Sequence, residues 1–126
     1  MINTAIDSID LGIVDGFQIH AELFDDPTYY GDGPDGDYSD EQIAAYRAGD
    51  WYYTVIVVTA SRAGHKLGSD TLGLVEYGTI PGAGEIDPLN DEHGSLAAYR
   101  ADMVDNAVAD ARMTLSQIND PITATN

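Results

Sequence analysis

Trp51-Tyr52-Tyr53-Thr54-Val55-Ile56-Val57-Val58-Thr59-Ala60 is the stretch on which the fold turns. It is rich in aromatic and β-branched residues, which suit a pleated strand better than a helix because their side chains are stiff at the first torsion. Trp51, Tyr53, Val55 and Val57 fall on one face and Tyr52, Ile56 and Val58 on the other. Both faces are apolar, so the segment reads as a central strand covered on both sides. Before it, Ser39-Asp40-Glu41-Gln42 has the form of a capping box, with two acids at the positive end of the helix dipole. Ile43, Ala44 and Tyr46 give an apolar side and Gly49 a stop, which predicts a short helix over 40–48. After it, turn-forming residues around Gly64 and Gly68 predict a loop of about ten residues leading to an antiparallel strand near 70–77. Leu72 and Leu74 would share one face of that strand, Val75 and Tyr77 the other.

Further out, Phe17, Ile19, Ala21 and Leu23 alternate with Gln18, His20 and Glu22, the pattern of a strand with one wet face. Residues 1–16 leave two readings open. Ile2, Ile6, Ile9 and Ile13 have helical spacing, whereas Ile9, Leu11 and Ile13 alternate, and Gly12 and Gly16 weigh against a long helix. From Gly78 to Gly94 the residues Pro81, Gly82, Gly84 and Pro88 predict a loop, with Asp87-Pro88 capping a brief turn. Leu96, Tyr99, Met103, Ala107, Ala111, Leu115 and Ile118 then recur at threes and fours, predicting a helix over 95–118 with Asp102, Asp105 and Asp110 facing water. Asp120-Pro121 would end it. The order strand, helix, strand, strand, helix implies one α+β domain over residues 1–126: an antiparallel sheet of three or more strands packed on the long C-terminal helix, with the short helix on the other face.

The chain carries 22 Asp and Glu against 5 Lys and Arg, a formal net charge of −17 on 126 residues. Leu, Ile, Val and Phe together number 28, enough for an ordered but modest core once Trp51 and the eight tyrosines are added. Strong negative charge repels anionic lipid and nucleic-acid backbones, so a basic protein surface is the expected partner, with no direct nucleic-acid or membrane contact. The absence of cysteine excludes disulfides and thiolate chemistry. No apolar run suits a membrane span and the N-terminus does not read as a secretory signal, so a cytoplasmic location is expected.

Residues 25–40 concentrate Asp25, Asp26, Asp32, Asp35, Asp37 and Asp40 with Gly31, Gly33, Pro34, Gly36 and three tyrosines. Tyr29, Tyr30, Asp32, Asp35, Asp37 and Tyr38 are the candidate contact residues of an interface, because tyrosine offers area and a polar tip at small entropic cost. Asp32, Asp35, Asp37 and Asp40 are a weak calcium candidate, since their register fails the EF-hand pattern and a solvated acidic loop explains them. No cofactor or catalytic set is indicated. His20, His65 and His93 lie in separate elements, and Glu76, on a core strand, reads as a structural partner of Arg47 or Arg62 before it reads as an acid–base group.

Asp26-Pro27-Thr28-Tyr29-Tyr30-Gly31, Ala45-Tyr46-Arg47-Ala48-Gly49-Asp50-Trp51 and Leu67-Gly68-Ser69-Asp70-Thr71-Leu72-Gly73-Leu74-Val75-Glu76-Tyr77-Gly78 together resemble small uncharacterised acidic proteins of actinobacterial phages and their hosts. In that group a Tyr-Arg-x-Gly-Asp/Glu-Trp segment precedes a Val-rich strand and a Leu-Trp-Gly-Ile/Val-Glu segment follows; this chain lacks the tryptophan of the second. The resemblance implies a mobile-element origin and no activity.

Three functions follow in order. The first is a non-enzymatic binding module imitating nucleic acid. Seventeen charges match those on about 29 Å of duplex at ~1.7 Å per charge, comparable with a diameter near 36 Å expected for a compact chain of this length. Host restriction, CRISPR or transcription proteins would be its targets, and a homodimer would fit the aromatic loop and the long helix. The second is salt adaptation, suggested by 17 Asp against 5 Glu and the single Lys66. The third is a small-ligand module or enzyme using Glu76.

Overall fold

Hairpins build the sheet, and two of them turn on a residue pair with positive φ. The computed structural model describes residues 4–26, 34 and 37–119. Strand β1 (Asp7–Val14) returns as β2 (Phe17–Asp25) through Asp15 and Gly16, at φ 54° and 80°. Helix α1 (Asp40–Ala48) precedes β3 (Trp51–Arg62), which returns as β4 (His65–Ile80) through Ala63 and Gly64, at φ 51° and 79°. Both pairs have the left-handed geometry whose twist matches that of the flanking strands. Short β5 (Gly84–Ile86) and helix α2 (Ser95–Asn119) complete the order. The five strands form one antiparallel sheet in sequence order, with β3 at its centre. The fold is α+β, with the long helix on one face and the short helix on the other.

Residues 1–16 resolve as a strand in their described part. A bulge between Asp10 and Gly12, where Gly12 has φ 89°, shifts the inward phase from Ile9 to Val14 and leaves Ile13 72 % exposed. The helical spacing of the isoleucines is therefore coincidental. The ten-residue loop expected after Ala60 is replaced by the two-residue turn, and β4 runs through Gly68 to Ile80. A second bulge, with Leu74 at φ 55°, separates the Ile56–Leu72 pair from the Thr54–Val75 pair. It puts Leu72 and Val75 on the same face and leaves Leu74 exposed, which overturns the expected pairing of Leu72 with Leu74. The predicted loop over 78–94 also contains the end of β4 and all of β5, too short and too glycine-rich for a sequence pattern to register. Asp87 does cap a turn, its carbonyl accepting from the amides of Asn90 and Asp91.

Strict alternation along β3 divides the core in two. Ile56, Val58 and Ala60 pack with Phe17, Ile19, Ala21 and Leu23 under α2, which contributes Leu96, Met103, Ala107, Val108 and Ala111. On the opposite face Trp51 and Tyr53 pack with Ala45 of α1, Ile80, Tyr38 and Tyr46. The expected stripe of α2 holds except at Tyr99 and Ile118, which are 51 % and 60 % exposed. Its end at Asp120-Pro121 lies outside the described residues. Helix α1 has the predicted capping box in full: Gln42 N–H donates to Ser39 Oγ at 3.1 Å, and Ser39 N–H donates to Gln42 Oε1 at 3.0 Å. Gly49, at φ 85°, closes it.

Ala63 occupies a left-handed position that costs an L-residue with a Cβ roughly 1–2 kcal/mol and that asparagine tolerates. Ala63→Asn is expected to raise the thermal midpoint by about 2–5 °C, measured by circular dichroism. An unchanged or lower midpoint would show that the turn stores no strain at this residue.

Candidate functional site

The topology sorts the charges to the two ends of the sheet. The turns Asp15-Gly16 and Ala63-Gly64 lie at one end; the start of β1, the end of β2, α1, the start of β3, β5 and the N-terminus of α2 lie at the other. That second end gathers Asp7, Asp25, Asp26, Asp37, Asp40, Glu41, Asp50, Glu85, Asp87, Asp91 and Glu92, with Arg47 and, beside Asn90 and Asp91, Arg100 as the arginines among its described residues. The hairpin end instead carries Arg62, Lys66, His65 and Arg112, the last bonded to Asp15. Carboxylates scattered evenly in sequence are thus polarised in space.

Two devices hold the acidic end in shape. Asn90 Nδ2 donates to Asp7 Oδ2 at 3.0 Å and to both carboxylate oxygens of Asp87, at 3.1 and 3.0 Å, while Asp87 N–H donates to Asp91 Oδ2 at 2.8 Å. One neutral amide therefore bridges two carboxylates that would otherwise repel each other. The second device is aromatic. Trp51 Nε1–H donates to the carbonyl of Gln42 at 2.9 Å and its ring meets those of Tyr38 and Tyr46 at 4.9 and 5.1 Å, fixing α1 and the residues before it on the sheet. Gln42 Nε2–H also donates to the carbonyl of Pro81 at 2.9 Å, tying α1 to the turn after β4.

Tyr38 is the link between this anchor and Glu76. Tyr53 OH donates to Tyr38 OH at 3.0 Å, and Tyr38 OH donates to Glu76 Oε2 at 2.6 Å. Glu76 is half-buried opposite Tyr53 on the neighbouring strand, so the carboxylate faces α1 rather than α2. It accepts from a phenol, and Arg62, one of the two arginines expected as its partner, instead lies over the Phe17 ring at 4.3 Å at the far end of the sheet. Burial, with the hydrogen bonds to Glu76 and Tyr53 behind it, raises the Tyr38 phenol well above its ordinary value of 10.0. Burial, aided by Tyr77 and Asp25, also raises Tyr52.

A raised phenol pKa favours the protonated, folded state, so its contribution is complete below about pH 10 and is lost as pH climbs beyond it. Tyr38→Phe is expected to cost about 1–2 kcal/mol at neutral pH and to flatten the alkaline limb of the stability curve above about pH 10. Parallel alkaline limbs in urea titrations of the two proteins would refute the link.

Of the interface candidates, Asp37 is exposed beside α1, and Tyr38 is half-buried and engaged with Trp51 and Glu76. Tyr29, Tyr30, Asp32 and Asp35 lie outside the described residues. Of the calcium candidates, Asp37 and Asp40 are described and exposed, and among the described residues no group of three or more His, Asp or Glu is arranged to hold a metal ion. His20 lines a shallow groove with Ser8, Ile9, Asp10 and Glu22, His65 stands at the hairpin end, and His93 is exposed before α2. No helix among the described residues is long and apolar enough to cross a membrane. Sequence reading missed the polarity of the surface, because it depends on which strand ends meet. No protein family, curated protein or solved structure matches this chain.

Proposed function

We propose that the protein is a non-enzymatic acidic binding module whose carboxylate-rich end docks on a basic groove, taking the place of a nucleic-acid backbone. The supporting observation is the gathering of eleven carboxylates at one end of the sheet against two arginines, Arg47 and Arg100. Charge so concentrated steers a basic partner and sets orientation, whereas the same total spread evenly would do neither. Basic host proteins of restriction, CRISPR or transcription systems are the partners that a phage-type origin would supply. Glu76 as an acid–base centre is the weaker reading, because its carboxylate already accepts from Tyr38.

A location-controlled charge experiment tests the proposal. One variant combines Asp37→Asn, Glu41→Gln and Asp50→Asn at the acidic end; its control combines Asp10→Asn, Asp102→Asn and Asp105→Asn elsewhere, removing the same charge. Binding to a fluorescent deca-arginine peptide is expected to weaken about tenfold or more in the first and less than about threefold in the second. It should also fall steeply with salt in the parent. Equal losses in the two variants would overturn the assignment of the acidic end.

Salt adaptation is favoured by one further observation: Asp102, Asp105 and Asp110 are all exposed on α2, away from the acidic end. Full folding in dilute buffer, with a thermal midpoint that potassium chloride does not raise, would count against it.

A further inference from the structure

At the hairpin end, the last turns of α2 and the β3–β4 turn border an open groove of about 460 Å³ lined by Arg62, Ala63, His65, Lys66, Leu67, Thr114, Leu115 and Ile118. Among the described residues no carboxylate lines it, although more than one residue in six of the chain is Asp or Glu. Two of the chain's five Lys and Arg do. Its floor is aliphatic, from Leu67, Leu115 and Ile118, and Ile118 stays 60 % exposed at the end of the helical stripe that elsewhere is buried. An apolar trough with a cationic rim in a protein of net charge −17 is the opposite of what composition supplies.

We infer that this groove is a binding site for a small anionic amphiphile, a carboxylate on an unbranched apolar chain. The apolar chain would lie along Leu67, Leu115 and Ile118, and the carboxylate would meet Lys66, with Arg62 beside it. The volume falls within the range of about 300–1,000 Å³ usual for small-ligand sites. The stretch of α2 in its wall runs from Thr114 to Ile118, about 6 Å of helix axis at ~1.5 Å per residue. A docked peptide helix would need anchors spread over seven residues, about 10 Å, so the length favours a small molecule over a protein segment. The acidic end does not cancel the rim. At physiological ionic strength the screening length is about 8 Å, so the distant acidic end contributes little to the potential in the groove.

Arg62 is partly occupied by the Phe17 ring and by the carbonyls of Asp15 and Gly16, at 3.3 and 3.4 Å from its donors. Lys66 is therefore the residue to test. Decanoate, decanol and decyltrimethylammonium carry the same chain with negative, neutral and positive heads. Titrated into the intact protein at 150 mM salt and followed by amide shifts in nuclear magnetic resonance, decanoate is expected to perturb His65–Leu67 and Thr114–Ile118. Exposed ion pairs are each worth a factor of about 1.5 to 5, so decanoate should bind at least about fivefold more tightly than decyltrimethylammonium. Ile118→Asp should abolish binding, and Lys66→Glu should remove the preference for the anion while leaving the weaker binding of decanol. Both positions are exposed, and helical circular dichroism, dominated by the 25 residues of α2, reports that each variant is folded. Absence of decanoate binding, equal affinity for the cationic probe, or shifts that persist in Ile118→Asp would each overturn the proposal.

Discussion

Gly68→Ala is expected to abolish the native packing of α2 and with it cooperative unfolding near room temperature. Gly68 lies within β4, where a glycine is normally a weakness, but α2 crosses directly over it. A Cβ at this position would stand 2.3 Å from the carbonyl oxygen of Ala107 and 2.3 Å from the amide nitrogen of Ala111. Those are backbone atoms of a helix whose neighbouring side chains, Met103, Ala107, Val108 and Ala111, form its half of the larger core. Neither can rotate aside, so the whole helix must lift by an ångström or more. Ordinary overpacking, where side chains adjust, costs about 1–3 kcal/mol; here the core contacts of α2 loosen together, and about 4 kcal/mol is a lower estimate. Total stabilities of domains are only about 5–15 kcal/mol. The thermal midpoint should fall by more than about 10 °C, or the transition should broaden beyond a two-state fit. Gly73→Ala is the control, since nothing lies within 4 Å of a Cβ there, and should change stability by less than about 1 kcal/mol. A midpoint within a few degrees of the parent for Gly68→Ala would mean that α2 does not cross β4 at this residue.

The same glycine shows where the sequence stopped being readable. Gly68 close to Gly64 has the look of turn chemistry and predicts a ten-residue loop where the protein has a two-residue turn. Its actual reason is a helix whose contacting residues, Ala107 and Ala111, lie 39 and 43 positions downstream, which no local pattern encodes. Asp15-Gly16, by contrast, was open to reading. An Asp-Gly pair between alternating apolar runs is among the strongest short-range hairpin signals, and it would have decided the N-terminal strand against the helical spacing of the isoleucines. Ala63-Gly64 carries no such signal, because alanine is not a residue that favours φ 51°. The bulges at Gly12 and Leu74 likewise shift the inward phase by one residue, and each defeated a strict period-two assignment.

Elements whose cause is local came through intact. The capping box and closing glycine of α1 are contained within eleven residues, and the strand beginning at Trp51 declares itself by β-branched and aromatic content. The candidate site divides the same way. That the chain is strongly acidic follows from composition alone. That its carboxylates gather at one end, and that a trough lined by no carboxylate among the described residues lies at the other, follows only from which ends of the strands the hairpins bring together. The count of charges gives the net sign of the molecule; the hairpin topology gives its surface a direction.

Trp51→Ala should detach α1 and thereby unmake part of the acidic end. Trp51 is fully buried, and three tyrosine rings surround it, with centroids at 4.9 Å for Tyr38, 5.1 Å for Tyr46 and 5.6 Å for Tyr53. Truncating a buried tryptophan to alanine costs about 3–5 kcal/mol through lost transfer energy and the cavity left behind. The carbonyl of Gln42 also loses the indole donor that meets it at 2.9 Å. Helix α1 has nine residues, too few to persist in water without tertiary contacts. Release of α1 would free Asp40 and Glu41 from their fixed positions and loosen Tyr38 from the sheet, while the larger core under α2 keeps its own contacts. The expected result is a folded protein with reduced helical circular dichroism, rapid amide exchange over 40–48, and weaker, less salt-dependent binding to deca-arginine. Trp51→Phe separates the two causes: the ring area is largely kept, the donor is lost, and the cost should be about 1–3 kcal/mol with α1 still formed. Slow exchange in α1 of Trp51→Ala would show that the helix is held by its caps and the Gln42–Pro81 bond, and that the tryptophan only fills space beneath it.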